Sequence, residues 1–187
     1  MNKGLSNILK KNYQKLLSAF GPQHWWPGET QFEVIVGAIL TQNTAWTNVE
    51  KAIKNLKKAK VLSPRKMHDL SQDELAKLIK PAGYFNIKAK RLKHFLNYLF
   101  DEYGGRLDRM FKKRTDFLRK ELLSVNGIGP ETADSILLYA GNHPVFVIDA
   151  YTKRIFSRHR IIKPDADYHE VQELFMKNLL HDVKMFN

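Results

Sequence analysis

The chain has 187 residues, 43% of them hydrophobic, so it is long enough to bury one sizeable core or two small lobes. Lysine and arginine outnumber aspartate and glutamate by 31 to 19, and the resulting net charge of +12 favours a polyanionic partner. No stretch approaches the roughly 18 apolar residues of a membrane span. The sequence also shows no secretory leader, so we expect a cytoplasmic protein without a membrane partner.

The absence of cysteine excludes disulfides and a cysteine-ligated iron–sulfur cluster, and the histidines lack the spacing of metal ligands. We therefore predict no cofactor and no metal held by side chains.

Apolar residues recur at helical spacing from the start of the chain. A stripe over 5–20 predicts the first helix. Residues 32–40 are apolar almost all round, as expected for a central helix that is buried on every side. The stripe over 49–56 predicts the next helix, and 71–74 has the pattern of a capping box that begins a short one.

The second half of the chain is predicted to be helical as well. A long helix from about 86 to 103 is followed by a Gly-Gly pair that ends it, and a last helix falls around 168–175. The apolar run 145–148 is too short and too isolated to define a sheet. The sequence therefore predicts an all-α fold.

Residues 118–141 contain two helical stripes separated by a turn with two glycines. Gly127 and Gly129 permit positive φ angles and let a phosphate approach the backbone N–H groups, and Pro130 suits the first position of the second helix. This arrangement is typical of a phosphate clamp. The alternative is an ordinary pair of helices, in which the glycines only end one helix and begin the next.

Three segments, in this order, resemble the helix-hairpin-helix DNA glycosylases of the endonuclease III superfamily: 32–44, 83–90, and the hairpin with Asp149 beyond it. Lyase members of that superfamily carry a Schiff-base lysine where this chain has Glu131. This substitution, the lack of cysteine and the Trp-Trp-Pro run at 25–27 together resemble the 3-methyladenine glycosylase branch.

The resemblance implies a two-lobed, all-α fold with the active-site cleft between the lobes. One lobe would consist of 1–27 together with 144–187, and the other of 28–143, ending in the helix-hairpin-helix unit 118–141. Family members usually continue with further C-terminal helices, so we expect a minimal or truncated version of the fold. We also expect a monomer, because a single damaged base needs one site.

Asp149 is the candidate catalytic residue. At a helix N-terminus its carboxylate would stay ionised, where it can stabilise the oxocarbenium-like sugar as the glycosidic bond breaks, or orient the attacking water. The alternative is an aspartate that only caps the helix. Glu131 cannot form the Schiff base that cleaves DNA, so water should be the nucleophile and the enzyme monofunctional. The alternative for Glu131 is a favourable charge in the first helical turn.

Aromatic side chains supply the flat faces on which a flipped base stacks, and a cationic alkylated purine gains a cation–π attraction to them. The alternative for each ring is a place in the core. The candidate base pocket consists of Trp25, Trp26, Pro27, Trp46 and Glu131.

The resemblance places Gln42 and Tyr84 where side chains enter the duplex beside a flipped nucleotide. A helix-end polar residue and a core tyrosine are the alternative interpretations. Pro130 has no N–H, so the hairpin contact would depend on its neighbours, with a monovalent cation on the hairpin carbonyls as a candidate addition. The basic run of Lys88, Lys90, Arg91 and Lys93 is a candidate for contact with the DNA backbone, unless it forms only a solvated face. The candidate DNA-binding residues are Gln42, Tyr84, Lys88, Lys90, Asn126, Gly127, Ile128, Gly129 and Thr132.

These features predict a monofunctional base-excision repair glycosylase that removes alkylated purines, such as 3-methyladenine, from double-stranded DNA. Two alternatives stay open. One is a bifunctional, endonuclease III-like glycosylase and AP lyase for oxidised pyrimidines. The other is a helix-hairpin-helix DNA-binding protein without chemistry.

Overall fold

The computed structural model describes residues 3–23 and 25–187, and within these ranges the chain is helical, without a strand. The prediction of an all-α fold is confirmed. The helices are α1 (Lys3–Phe20), α2 (Gln31–Leu40), α3 (Trp46–Lys58), α4 (Pro64–Asp69), α5 (Gln72–Leu78), α6 (Phe85–Tyr103), α7 (Leu107–Met110), α8 (Thr115–Ser124), α9 (Pro130–Ser135), α10 (Ala150–Arg158), α11 (Tyr168–Asn178) and α12 (Val183–Phe186). A 3-10 turn spans Lys80–Ala82, and a π-helical turn, Ile136–Ala140, continues α9.

Local signals in the sequence begin and end several of these helices. The capping box is present, because Ser71 Oγ accepts from the Glu74 N–H at 3.2 Å while Glu74 Oε2 accepts from the Ser71 N–H at 2.8 Å. Helix α6 ends at Gly104, whose φ of +63° is the left-handed conformation that suits glycine at this position. Helices α4, α7 and α12 were not predicted. They have only six, four and four residues, too few to show a helical period.

Helix α2 lies at the centre of the fold. Every residue from Phe32 to Leu40 is buried, which confirms the prediction of a helix enclosed on all sides. The one charged residue among them, Glu33, is neutralised by Lys57 of α3, whose Nζ lies 2.9 Å from Glu33 Oε1. Thr30 caps the helix by accepting from the Glu33 N–H at 3.1 Å.

Buried apolar residues form two clusters. The larger one surrounds α2 and draws on residues from 32 to 145. The smaller one joins Leu9 of α1 to Ile148, Ala166 and residues of α11, with Phe146 and Phe175 stacked at 4.1 Å between ring centroids. The second cluster therefore brings the two ends of the chain together beside Asp149. The exact domain boundaries stay a prediction.

Candidate active site

The hairpin between α8 and α9 has the geometry that its glycines suggest. Gly127 has a φ of +93°, and a Cβ at this position would collide with Cγ of Arg91. Apart from its two chain neighbours, Gly129 has no residue within 4 Å of the place a Cβ would occupy, so its backbone borders open space. Pro130 is the first residue of α9, as predicted. The first glycine is thus required by the fold, and the second leaves room for a ligand to approach.

Gln42 fastens the end of α2 to this hairpin. Its Nε2 donates to Gly127 O at 3.0 Å and to Thr132 Oγ1 at 2.9 Å, and its Oε1 accepts from Arg91. Three of the predicted DNA-binding residues are therefore brought together. In this structure the Gln42 amide lies along the hairpin, and its entry into a duplex stays a prediction.

The carbonyls of the hairpin already have partners. Gly127 O accepts from Gln42, Asn126 O lies 3.0 Å from Nδ1 of His94, and Val125 O accepts from the Ile128 N–H at 3.0 Å. A monovalent cation would have to share these oxygens. Such a cation stays a prediction, and the chemistry described below does not use it.

Tyr84 is 72% exposed and has a φ of +45° at the start of α6. A left-handed conformation costs a non-glycine residue about 1–2 kcal/mol, and such strain is often found at functional sites. Gly83 before it also has a positive φ, of +65°. The backbone thus turns the phenol ring into solvent, where it is available as a wedge. That role stays a prediction.

The prediction that Lys88 contacts DNA is wrong. Lys88 is only 1% exposed. Its Nζ donates to Leu40 O and Ala82 O, both at 2.8 Å, and to Thr44 Oγ1. Position 88 falls on the face of α6 that packs against α2, so the ammonium group satisfies a carbonyl at the end of α2 instead of a phosphate. Burial, with a smaller effect from Arg91, lowers its pKa to about 8. Lys90, on the other side of α6, is exposed.

Asp149 is the N-cap of α10. Its Oδ1 accepts from the backbone N–H of Thr152 at 2.7 Å and from the Thr152 hydroxyl at 2.8 Å. Its Oδ2 has no hydrogen-bond partner among the residues that the structure describes. The side chain is half-buried. One oxygen therefore fixes the carboxylate, and the other is left to act on a ligand.

Glu131 and Tyr139 share a site with Asp149. Burial raises the pKa of the Glu131 carboxyl, and the charge of Asp149 raises it further, although the residue as a whole is exposed at the rim. The pKa of Tyr139 is raised by burial and then by both carboxylates. The charge of Asp149 acts on both Glu131 and Tyr139, and the charge of Glu131 acts on Tyr139, so the three groups lie near one another.

An aromatic wall stands beside these acids. The ring of Trp26 meets that of Trp46 edge-on, at 5.4 Å between centroids, and that of Tyr139 at 5.7 Å. The Trp26 indole N–H is buried without a hydrogen-bond partner. Trp25 is 57% exposed, makes no ring contact with another described residue and donates its backbone N–H to Asn187. Pro27 is exposed. Of the predicted pocket residues, Trp26 and Trp46 are in contact, and Tyr139 lies near both Trp26 and Glu131. The places of Trp25 and Pro27 in the pocket stay predictions.

One residue of this site, Tyr139, was missed in the sequence. It lies eight residues after Glu131, which in a regular α-helix is about 80° away around the axis, so the spacing gave no clear signal. The π-helical turn in which Tyr139 lies gave none either, and turns of this kind are frequent at functional sites. Arg91 was predicted, as part of the basic run, to contact the DNA backbone. In the structure it packs under Gly127 and donates to Gln42, and its contact with DNA stays a prediction.

Among residues 3–23 and 25–187 there is no group of three histidine or acidic side chains that could hold a metal ion, and no helix is long and apolar enough to cross a membrane. Two surface clefts, of about 300 and 530 Å³, are lined in part by Gln172 and Met176 of α11. Neither cleft is lined by Glu131 or Asp149.

An all-helical fold with a glycine hairpin, an aromatic wall and an N-cap aspartate is the arrangement expected of a helix-hairpin-helix glycosylase. The model of the HhH-GPD superfamily of base excision DNA repair proteins matches residues 36–180. The chain belongs to this family and is a base-excision repair DNA glycosylase, as the sequence predicted.

Individual relatives agree with this assignment. A protein of Methanocaldococcus jannaschii with the provisional name DNA repair glycosylase is 50% identical over 100% of this chain and 85% of its own length. Endonuclease III of Thermotoga maritima is 29% identical over 81% of this chain and 67% of its own. The crystal structure of H. pylori 3-methyladenine DNA glycosylase bound to 1,N6-ethenoadenine superimposes with a TM-score of 0.79, at 33% identity over 93% of this chain and 81% of that one. A trapped endonuclease III–DNA covalent intermediate gives the same TM-score at 21% identity, covering 97% and 84%, and shows the likeness of fold.

Proposed function

We propose that the chain is a monofunctional glycosylase that flips alkylated purines such as 3-methyladenine out of double-stranded DNA and hydrolyses their N-glycosidic bond. The observation that carries this proposal is the aromatic wall of Trp26, Trp46 and Tyr139 beside the acids Glu131 and Asp149. The relative of known structure that is named for 3-methyladenine supports the choice of base.

The chemistry of the wall suits a cationic base. Methylation at a ring nitrogen gives the purine a positive charge in DNA, and aromatic faces attract cations by about 0.5–2 kcal/mol, most strongly when water is excluded. Two carboxyl groups next to the wall add a negative potential. A neutral base would gain only the stacking contribution, so the site favours the charged lesion.

Asp149 supplies the charge that bond cleavage requires. As the C–N bond breaks, the base leaves with the bonding electrons and becomes neutral, while positive charge develops on the sugar. The Asp149 carboxylate, held through Oδ1, stabilises that charge and can accept a proton from the attacking water through Oδ2. Since the departing base is already cationic, no acid is needed to protonate it.

Glu131 supports the assignment as a monofunctional enzyme. Its carboxylate cannot form an imine with the sugar, so strand cleavage through a Schiff base has no amine at this position. Lys88 is held by three oxygens inside the fold and is not free to replace it.

The test is base release from methylated DNA by the wild type, Asp149→Asn and a matched control. Asp167→Asn is the control, because Asp167 caps α11 as Asp149 caps α10, accepting from the Glu170 N–H at 2.8 Å. We expect Asp149→Asn to lower the single-turnover rate by a factor of about 100–1,000 while DNA affinity changes little. Asp167→Asn should keep the wild-type rate.

Two other outcomes would replace the proposal. Excision of oxidised pyrimidines together with a borohydride-trapped covalent complex would indicate a bifunctional, endonuclease III-like enzyme. DNA binding without release of any base would leave a binding protein. Normal turnover by Asp149→Asn would refute the catalytic assignment itself.

A further inference from the structure

Asp134 is a fully buried carboxylate on α9 that takes no part in the chemistry described above. Its Oδ1 accepts from Arg119 Nε at 2.7 Å, and its Oδ2 accepts from Arg119 Nη2 at 3.0 Å, from Tyr168 Oη at 2.8 Å and from Gln172 Nε2 at 2.7 Å. The Asp134 cluster, defined as these four residues, joins α8, α9 and α11. Burial and the Asp134 carboxylate both raise the pKa of Tyr168, which keeps its phenol protonated as a donor.

The same cluster reaches the segment that leads into Asp149. Gln172 Nε2 also donates to Phe146 O at 2.8 Å, and Tyr168 Oη accepts from the Ile148 N–H at 3.4 Å. The segment 146–148 has no regular secondary structure, so these contacts replace a helical or strand ladder there. Ile148 is buried in the smaller apolar cluster, which fixes its side chain while the Asp134 cluster fixes its backbone.

The contacts between the Asp134 cluster and residues 146–148 fix the position of Asp149 relative to the hairpin. The hydrogen bonds of Asp149 itself do not. Both hydrogen bonds that the Asp149 side chain makes with described residues are to Thr152 in the first turn of α10, so they orient the carboxylate on its own helix only. Asp134 lies one turn after Glu131 on α9, the helix that begins in the hairpin. A bond network from Asp134 to residues 146–148 therefore holds Asp149 in register with the hairpin and with Glu131.

We propose that Asp134, Tyr168 and Gln172 are positioning residues that couple the hairpin to the catalytic carboxylate, so that a duplex held by the hairpin is held in register with Asp149. The inference rests on the proposed function, because it takes Asp149 as the catalytic group. A buried ion pair that only stabilised the fold would need no contact with residues 146–148.

The experiment uses Tyr168→Phe, which removes one oxygen and keeps the ring. Its matched control is Tyr98→Phe, because Tyr98 Oη donates to Glu121 Oε2 at 3.0 Å and so joins α6 to α8 without touching residues 146–148. Four quantities are compared with the wild type: the single-turnover rate of base release, the Kd for DNA with an abasic-site analogue, the Tm, and the hydrogen-exchange rate of the Ile148 amide.

We expect Tyr168→Phe to slow base release by about 10–100-fold, since small misplacements of a reacting group cost factors of this size. Its Kd should stay within about twofold of the wild type, because the phosphate contacts are intact, and the Ile148 amide should exchange faster. Tyr98→Phe should lose a similar amount of Tm and keep the wild-type rate and Ile148 exchange. Gln172→Met, which removes the bond to Phe146 O, should repeat the pattern of Tyr168→Phe and serves in its place if that variant does not fold.

Equal rates for Tyr168→Phe and Tyr98→Phe would overturn the positioning role. The Asp149→Asn variant distinguishes a failure of the positioning role from a failure of the catalytic assignment. If Asp149→Asn is inactive and Tyr168→Phe is normal, only the positioning inference fails. If Asp149→Asn is fully active, the assignment of Asp149 as the catalytic group fails, and the positioning inference fails with it.

Discussion

Substitution of Lys88 by methionine tests whether this lysine serves the fold or the DNA. Methionine keeps an unbranched side chain of similar length but removes the ammonium group from Leu40 O, Ala82 O and Thr44 Oγ1. Lys90→Met is the matched control on the same helix, because Lys90 is exposed and available to phosphate. The two variants should have opposite phenotypes.

The expected size of the effect follows from the contacts. A hydrogen bond from a charged donor contributes about 1.5–3 kcal/mol, so loss of three costs about 4–9 kcal/mol. Removal of the buried charge offsets part of this, since the lowering of the Lys88 pKa from 10.5 to about 8 corresponds to about 3 kcal/mol. We therefore expect the free energy of unfolding to fall by about 3 kcal/mol, which for a chain of this size lowers the Tm by about 6–12 °C.

The assays are thermal unfolding and the dependence of DNA affinity on salt. Lys88→Met should lose stability and, at a temperature where it is folded, keep the wild-type slope of log K against log salt. Lys90→Met should keep its stability to within about 0.5 kcal/mol and reduce that slope by about one. The reasoning would be refuted by a Lys88→Met variant that is as stable as the wild type but has a smaller salt slope.

Further predictions concern pH, the hairpin and the base. Between pH 8 and 10.5 the unfolded chain binds more protons at Lys88 than the folded chain, so wild-type stability should rise with pH there relative to Lys88→Met in urea titrations. In Gly127→Ala the free energy of unfolding should fall by about 2 kcal/mol, because of the positive φ at this position and the clash with Arg91. Gly129→Ala should unfold like the wild type and show only weaker DNA binding. Equal stability of the two variants would contradict this. Because the pKa of Glu131 is raised, its carboxylate should protonate at a higher pH than an ordinary glutamate as pH falls, which should slow release of cationic bases. Glu131→Gln should remove that pH dependence. It should also lower the rate of release of cationic bases relative to that of neutral 1,N6-ethenoadenine. An unchanged ratio of the two rates would contradict a charge-based preference.

The sequence predicted those parts of the fold that depend on local pattern. The buried helix α2, the capping box at Ser71 and the hairpin with Pro130 at the start of α9 are confirmed, because each depends on neighbouring residues. Lys88 was assigned wrongly because a run of basic residues on a helix does not reveal which of them faces the core. A helical wheel shows which residues share a face of the helix, but it does not show which face packs against the rest of the protein.

Contacts distant in sequence escaped prediction for a related reason. The Asp134 cluster joins residues up to 53 positions apart, from Arg119 to Gln172. Two of its members, Arg119 and Asp134, lie in the helix-hairpin-helix unit, but the sequence pattern of that unit does not reveal that they pair with each other or with α11. Tyr139 became a site residue only through its tertiary approach to Trp26. The family assignment was readable because hairpin, central helix and aspartate occur in a fixed order, but the arrangement of the aromatic wall required coordinates.

Gly37, in the middle of α2, determines how close the aromatic wall comes to the centre of the protein. A Cβ at this position would lie 2.9 Å from Cζ3 of Trp26, so the indole rests directly on the main chain of the helix. The surface behind the wall is therefore peptide backbone, whose shape does not change when neighbouring side chains are exchanged. A change in the size of the base that fits would have to come from the opposite side of the cleft, or from Gly37→Ala, which would push Trp26 outward and narrow the cleft by a single methyl group.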